Sequence, residues 1–392
     1  MANTFNLGNG SWAQKTEKLL AYNAENDNYK PLPFDFDRAS TATRVNRDGL
    51  IETVATDEPR IDFLNNTKGH LLLEPSRSNL VTYSEDFSEW TKQNAGTGTA
   101  PIVTSNNTIS PDGTQNADKV VFNKGTGTTT ADLSILTTSF TSQSNTASIY
   151  IKADSPQRIV IRNSSTWVGY DIGTEWTRIE KTDTGGSIQI GLRDGYGIAN
   201  VPNTATVYLW GAQLEAGSYA TSYIPTQGSA ATRVAETCNN SGNDQVINST
   251  EGVLYFEGSV LDILTSNSWV SVSQNSSFYS NQFNLRFVVG SNLIQAVSRA
   301  NGLGQDVVLQ YTLTDKTIIN KIAVKYKQND WSLWVNGIEV DTETSSNAFT
   351  ANSLDVLDFD RGNNSNSFYG NINNIKLYST ALTDAELQQL TS

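Results

Sequence analysis

Three short stretches set flat aromatic rings beside groups that hydrogen-bond in several directions. They are "SSTWVGYD", with Trp167 and Tyr170, "LRDGYG", with Asp194 and Tyr196, and "WSLWVNG", with Trp334 and Asn336. An aromatic plane accepts the C–H face of a sugar, and a fixed amide, acid or hydroxyl meets its hydroxyl groups. These six residues are therefore the candidate glycan-binding set. For Trp334, strand alternation against Trp331, Leu333 and Val335 predicts the outer face. For Trp167 and Tyr170 a polar, loop-like context predicts exposure. The competing reading is that aromatics in a β-rich chain are core residues, as Trp331 is expected to be.

Catalytic chemistry has a thinner inventory. "LDVLDFDRG" supplies Asp355, Asp358 and Asp360, and two strand rises place the Cα atoms of Asp358 and Asp360 ~6.8 Å apart. That spacing is open to a glycosidase pair, to a calcium site, or to acids that keep a wet strand edge soluble. The single histidine, His70, has no Ser or Cys nucleophile beside it, and Cys238 stands in a polar stretch expected to be a loop. One Cys and one His do not make a zinc site. "GGSIQIGLRDGYG" is rich in glycine but lacks phosphate-loop spacing. The expectation is a chain with no catalytic residue, no metal and no cofactor.

The elements that must hold these residues are strands. The chain has 392 residues, 17% of them charged, and a formal net charge of −13. That length predicts two or three domains. An acidic chain without a basic face is unsuited to nucleic acid or an anionic membrane, because counterion release needs clustered Lys and Arg. No run approaches the roughly 18 apolar residues that span a bilayer, so no membrane insertion is expected. "MANTFNLGNGSWAQ" lacks the pattern of a secretory signal, which predicts synthesis in a host cytoplasm and, for work outside it, exit by a route other than the general one. A lone cysteine makes no internal disulfide. Thr, Ser, Asn and Gly at the polar positions predict an all-β fold.

Along the chain, "SWAQKTEKLLAYNA" (11–24) is the best helical candidate, with Ser11 as cap and Trp12, Thr16, Leu19 and Leu20 near one face. Pro31 and Pro33 then force extended backbone. "RDG" and "NNTKG" mark turns between small strands. From 79 to about 225 short alternating strands follow one another; in "SIYIKA", Ile149 and Ile151 share one face. "KIAVKYKQNDWSLWVNGIEV" reads as three strands, with Asn336-Gly337 as a type I′ hairpin turn. "TDAELQQL" ends the chain as a short helix with a Thr cap. The phrase "ATRV" occurs at 42–45 and 231–234, and "GHLLLE" (69–74) echoes "GVLYFE" (252–257). Each copy is expected to lead into its own sandwich.

"IAVKY" (322–326), "WSLWVNG" (331–337), "FYGNINNIKLY" (368–378) and "ALTDAELQQL" (381–390) resemble the laminin-G-like, concanavalin-type lectin sandwich. "LLLEPSRSNLVTYSEDFSEW" (71–90), "ISPDGTQNADKVV" (109–121) and "YLWGAQLEAGSYATSYIPT" (208–226) resemble the carbohydrate-binding-module jelly roll of bacteriophage fibre proteins. "NYKPLPFDFDRASTATRVNRDGLIE" (28–52) is similar to the N-terminal phrase of the same proteins. The resemblance implies an all-β chain of two jelly-roll β-sandwiches in tandem: an attachment arm with small strands (1–78), a carbohydrate-binding-module-like sandwich (79–228), a linker (229–249) and a laminin-G-like sandwich (250–392). It further implies a non-enzymatic fibre or appendage protein on a virion surface. Its expected partners are virion proteins, met through the arm, and host-surface glycans. A homo-oligomer, a trimer, would multiply weak sites. A purely structural decorating protein and a polysaccharide-degrading fibre enzyme remain the alternatives.

Overall fold

The computed structural model describes residues 3–15, 17–29, 33–163, 166–261, 266–275 and 279–392. It is all-β, as expected, with one α-helix among the described residues, Asp384–Thr391. No helix there is long and apolar enough to cross a membrane.

The C-terminal sandwich has two layers. One is an eight-stranded sheet in the order Ile338–Glu343, Trp331–Val335, Asn320–Lys327, Glu251–Val260, Gly370–Tyr378, His70–Leu73 and Ile61–Asp62, with Phe5–Gly8 also paired to Gly370–Tyr378. The other has five strands: Val308–Thr312, Leu293–Arg299, Gln282–Phe287, Ser268–Ser273 and Val356–Asp358. Strict alternation turns Val270, Val272, Phe283, Leu285, Phe287, Ile294 and Ala296 inward. There they share one core with Leu254, Phe256, Val324, Leu333 and Ile375 of the facing sheet. Trp331, Leu333 and Val335 point into this core as expected, and Asn336 (φ 48°) with Gly337 (φ 85°) makes the positive-φ hairpin turn.

The jelly roll is a third sheet of eight strands folded on itself. Its long strands Leu133–Lys152 and Thr177–Arg193 each run through both layers. The former pairs with Thr91–Ala95 through its first residues and with Thr204–Ala216 through its last. A register break between Ser139 and Gln143 lets it bend. Ile149, Ile151, Ile159, Ile161, Ile188, Ile190, Val207 and Leu209 close the core between the layers.

Several expectations are corrected. Residues 11–24 are not a helix but a hairpin, Ala13–Lys15 with Lys18–Leu20, turned at Glu17 in the left-handed region (φ 61°). Leu19 and Ala21 alternate into the core, and that burial outweighs a narrow helical face. Thr16 and Pro31 lie outside the described residues.

The described strands before residue 79 are packed into the sandwiches rather than forming a free arm, most of them in the C-terminal one, with Val45 and Ile51 against Ala117, Trp210 and Tyr223 of the jelly roll. Phe5–Gly8 and His70–Leu73 occupy the edge of Gly370–Tyr378, and Phe5, Leu7, Leu71 and Leu73 complete its core. The two echoing phrases thus flank the same strand, and the repeat does not introduce two sandwiches. Within 229–249, Thr237–Asn239 pairs with Pro33–Asp37, so the expected linker is packed structure. Cys238 is buried there, its thiol pushed well above the usual range by burial, not in a polar loop.

The jelly roll is consequently an insertion. Its incoming strand Arg77–Asn79 pairs with its outgoing strand Ala231–Arg233. Beneath this ribbon lies a buried ionic hub made from both sandwiches. Arg60 Nε donates to Glu236 Oε1 at 2.7 Å, Arg38 Nη1 to the same oxygen at 2.8 Å, and Arg60 and Arg233 reach Glu74 Oε2 at 2.9 and 3.0 Å. Ser222 of the jelly roll donates its N–H and hydroxyl to Glu74 at 2.8 and 2.6 Å. Burial opposes ionisation of Glu74, but Arg233 and Arg60 together pull its carboxyl down to about 2. The phrases "LLLEPSR", "ATSYIPT" and "ATRVAE" therefore meet at a structural joint.

Candidate functional site

In the jelly roll, Trp167 lies opposite Arg162 on the neighbouring strand, and Val160 opposite Gly169. The indole is not exposed: only 6% of Trp167 meets solvent. It packs on Ile135 and Val160 and is covered by Ile198 and Val201 of the following loop. The guanidiniums of Arg162 and Arg193 stand 5.9 and 5.6 Å from its ring centre. Tyr196, on the covering loop, is exposed, with its ring 6.3 Å from Trp167. Asp194 anchors that loop through a 2.6 Å ion pair with the buried Lys124. Tyr170 belongs elsewhere: alternation turns it to the opposite face, half-buried against the jelly-roll core, where burial raises its hydroxyl pKa. The structure therefore gathers Trp167, Asp194 and Tyr196 and separates Tyr170 from them.

Trp334 is also corrected. The C-terminal helix folds over its face of the sheet, burying the indole among Val253, Tyr255, Ala323, Tyr378 and Leu387. Alternation assigned the face correctly; it carried no information about the helix that covers it. Asn336 is exposed but serves the turn, accepting from Lys321 N–H at 2.9 Å and donating to Asn320 Oδ1 at 3.1 Å.

The acids of "LDVLDFDRG" hold backbone. Asp355 accepts from Asn275 N–H and Asp358 from Asn240 N–H, both at 2.7 Å. Asp360 lies beyond the strand, accepting from Gly362 N–H and from Asn239 Nδ2 at 3.0 Å. His70 is buried, 3.7 Å from Asp62, on a cleft of about 450 Å³ between the two sandwiches. Burial first, and then Arg60, lower its pKa, against the pull of Asp62. Among the described residues, no group of three or more His, Cys, Asp and Glu is placed to hold a metal ion.

A different face concentrates unanswered polarity. On the outer side of the five-stranded sheet, Ser271 lies between Asp358 and Asn284, Ser273 beside Gln282, and Trp269 beside Arg286. Among the described residues, five buried atoms on or over this face have no hydrogen-bond partner: Trp269 Nε1, Ser271 Oγ, Ser273 Oγ, Asn284 Oδ1 and Arg361 Nε. Ser271 and Ser273 are 0% exposed and Asn284 2%. Together these atoms offer N–H donors, an amide acceptor and hydroxyls able to do both, the complement of a sugar's hydroxyl groups. Leaving such groups unsatisfied costs about 1–3 kcal/mol each.

Gly362 bridges over this floor. A Cβ there would stand 3.0 Å from Ser273 Oγ and 3.4 Å from Ser271 Oγ. Arg286 and Arg361 flank the Trp269 ring at 5.4 and 5.2 Å, and Arg361 and Arg299 lie over Tyr279 at 5.7 and 5.9 Å. Burial, with Asp360 and Asp355 adding to it, pushes Asp358 up to about 7. Sequence reasoning missed this face. The period-two texts "SWVSVS" and "QFNLRF" do align Trp269, Ser271 and Ser273 with Gln282, Asn284 and Arg286, but such a polar face reads as plain solvent contact.

No protein-family model matches the chain, and no curated protein does. Among solved structures, it is similar to the carbohydrate-binding module of the Ruminococcus gnavus IT-sialidase, with 18% identity and a TM-score of 0.33 over 39% of this chain and 94% of that one. It is similar to domain 4 of a Geobacillus stearothermophilus arabinanase in complex with arabinotriose, with 11% identity and a TM-score of 0.34 over 45% and 84%. Mouse laminin α1 domains LG4-5 match with 9% identity and a TM-score of 0.24 over 79% and 94%. At this level of similarity they say nothing of what this chain binds.

Proposed function

We propose that the protein is a non-catalytic glycan-binding protein whose principal site is the outer face of the five-stranded sheet around Trp269. One observation carries this reading. Buried donors and acceptors without protein partners are gathered beside an aromatic ring on a single face, whereas the acids suited to catalysis are occupied as backbone acceptors. Trp269 is itself only 7% exposed, so in this reading a sugar reaches the face by displacing the Arg361–Gly362 segment that crosses it, and then answers those groups with its hydroxyls. The resemblance of the N-terminal and middle phrases to bacteriophage fibre proteins supports a display role on a virion surface. In this reading the chain self-associates, as a trimer, to gain avidity from weak sites.

The test is glycan-array and pull-down binding by the whole chain, since strands from residues 5 to 73 complete the C-terminal sandwich. Binding that falls in Asn284→Ala with the fold retained, and in Trp269→Ala by more than the destabilisation expected of a truncated buried aromatic, is the expected result. A folded protein that retains no glycan on any array would leave a structural, decorating role instead.

A further inference from the structure

Three arginines converge on the Trp269 face from separate parts of the chain: Arg286 from Gln282–Phe287, Arg299 from Leu293–Arg299, and Arg361 from the segment crossing over it. None of the three is in an ion pair among the described residues. The fully buried guanidiniums of the hub, Arg38, Arg60 and Arg233, face Glu74 and Glu236, whereas the half-buried Arg77, Arg178 and Arg193, like the trio, are in no ion pair among the described residues; the trio differs in gathering three such cations at one place. That gathering does not reflect a shortage of acids, because 40 Asp and Glu stand against 27 Lys and Arg.

From this uncompensated trio we infer that the sugar bound at the Trp269 face carries an anionic group, a carboxylate or a sulfate ester, held between Arg286 and its neighbours Arg299 and Arg361. The inference rests on the glycan-binding reading above and narrows its ligand class. Guanidinium forks match planar and tetrahedral oxyanions with two parallel hydrogen bonds. Arg286 already spends its Nε–H on Gln295 Oε1 at 2.8 Å, which aims its terminal nitrogens away from that amide. The floor of Ser271, Ser273 and Asn284 then takes the neutral hydroxyls of the same ring. The cluster also works against itself when empty of anion: burial, then Arg361 and Arg299, lower the pKa of Arg286. Concentrating like charge at cost to the fold is the pattern of a binding site rather than of a structural joint.

The experiment measures binding of the full chain to polygalacturonate, to its fully methyl-esterified form, to dextran sulfate and to unmodified dextran. Expected is binding to polygalacturonate or dextran sulfate, weakening as salt rises, and none to the two neutral polymers. The two anionic arms identify which oxyanion is preferred. Arg286→Gln and Arg299→Gln should each weaken binding at least about tenfold, the worth of one charge-assisted contact. Arg47→Gln, an exposed charge remote from the face, should leave it unchanged. The melting temperature of Arg299→Gln should hold or rise, because a repelling charge is removed and no ion pair is lost, whereas Arg286→Gln also gives up its bond to Gln295 and its place on Trp269 and is read against that loss. Should Arg286→Gln fail to fold, Arg299→Gln keeps the test, since its guanidinium lies over the Tyr279 ring and is in no ion pair among the described residues.

Equal binding to the neutral polymers would overturn the anion and leave the glycan reading standing. Binding to no glycan would overturn both. Anion-dependent binding untouched by the two Arg variants would remove it from this face.

Discussion

Trp167 and Trp269 share a local arrangement, an indole approached by two guanidiniums, with Tyr196 beside the first and Tyr279 sharing Arg361 with the second, in sandwiches that share no visible repeat. What differs is the floor. Beneath Trp167 are Ile135 and Val160, and a loop caps it with Ile198 and Val201. At the first face Trp167 Nε1 and Arg158 Nε lack partners among the described residues; beside Trp269 the unpartnered atoms extend to two serines and an asparagine of the floor. Ion pairing does not separate them: among the described residues Arg193 of the first face, like Arg286 and Arg361 of the second, is in no ion pair, and it donates to Thr130 O at 2.9 Å. The same ring and cations thus close a small apolar plug in one place and frame a polar cradle in the other. Stacked Arg and Trp do not by themselves define a site; the groups left unanswered in the floor do.

The comparison can be broken most severely at the joint that carries both faces. Arg60→Ala leaves Glu236 and Glu74 buried with too little positive charge and should cost about 3–5 kcal/mol, read by urea titration. Because the hub takes bonds from both sandwiches, unfolding followed by tryptophan fluorescence should shift in both together. A transition confined to one sandwich would show that the joint does not couple them.

Next is the plug. Trp167→Ala should destabilise by about 3 kcal/mol or more, as large-to-small changes of buried aromatics do, without specifically altering glycan binding. A stable variant with lost binding would make the jelly-roll face the site and reverse the assignment.

A smaller, pH-dependent effect is expected at Asp358. Its folded-state pKa is raised to about 7, so its contribution to stability is fully present below the unfolded value near 4 and is lost as pH climbs through about 7. Asp358→Asn, which keeps an oxygen to accept from Asn240 N–H, should gain on the native protein between about pH 5 and pH 8. The gain should be on the order of 2 kcal/mol. Parallel stability curves for the two proteins would refute the shift.

Least disturbing is Ser273→Ala. It removes a buried hydroxyl that has no partner, so stability should change by less than about 1 kcal/mol while binding weakens. Calorimetry on one preparation reads both quantities.

Much of the fold is legible locally. Val, Ile and Phe alternating with Ser, Asn and Gln at 268–273 and 282–287 specify strands, and Asn336-Gly337 specifies its turn, because each depends on neighbours within a few residues. The site is less so. Alternation tells which side chains share a face and is silent about what covers it. Thus Trp334 lies beneath a helix some 50 residues later, Trp167 beneath a loop some 30 residues later, and the Trp269 face beneath the segment starting at Arg361. The attachment of Phe5–Gly8 to Gly370–Tyr378 had no local sign at all, since a four-residue apolar strand is compatible with many partners. The hub is illegible for a related reason. Arg38, Arg60, Glu74, Arg233 and Glu236 each read alone as surface charge, and only their convergence makes burial tolerable.

That same pairing of first and last strands sets a schedule for biosynthesis. Phe5 meets Leu377 in the finished sheet. At roughly 5–20 residues per second, a ribosome delivers the partner on the order of 20–70 s after the first strand has emerged. During that wait the inserted jelly roll, whose strands lie between residues 91 and 216, can complete itself, while Phe5 and Leu7 stay without their partner. The newborn chain is therefore a finished module hung on an open seam, and its need for chaperone protection should end only with the closing strand.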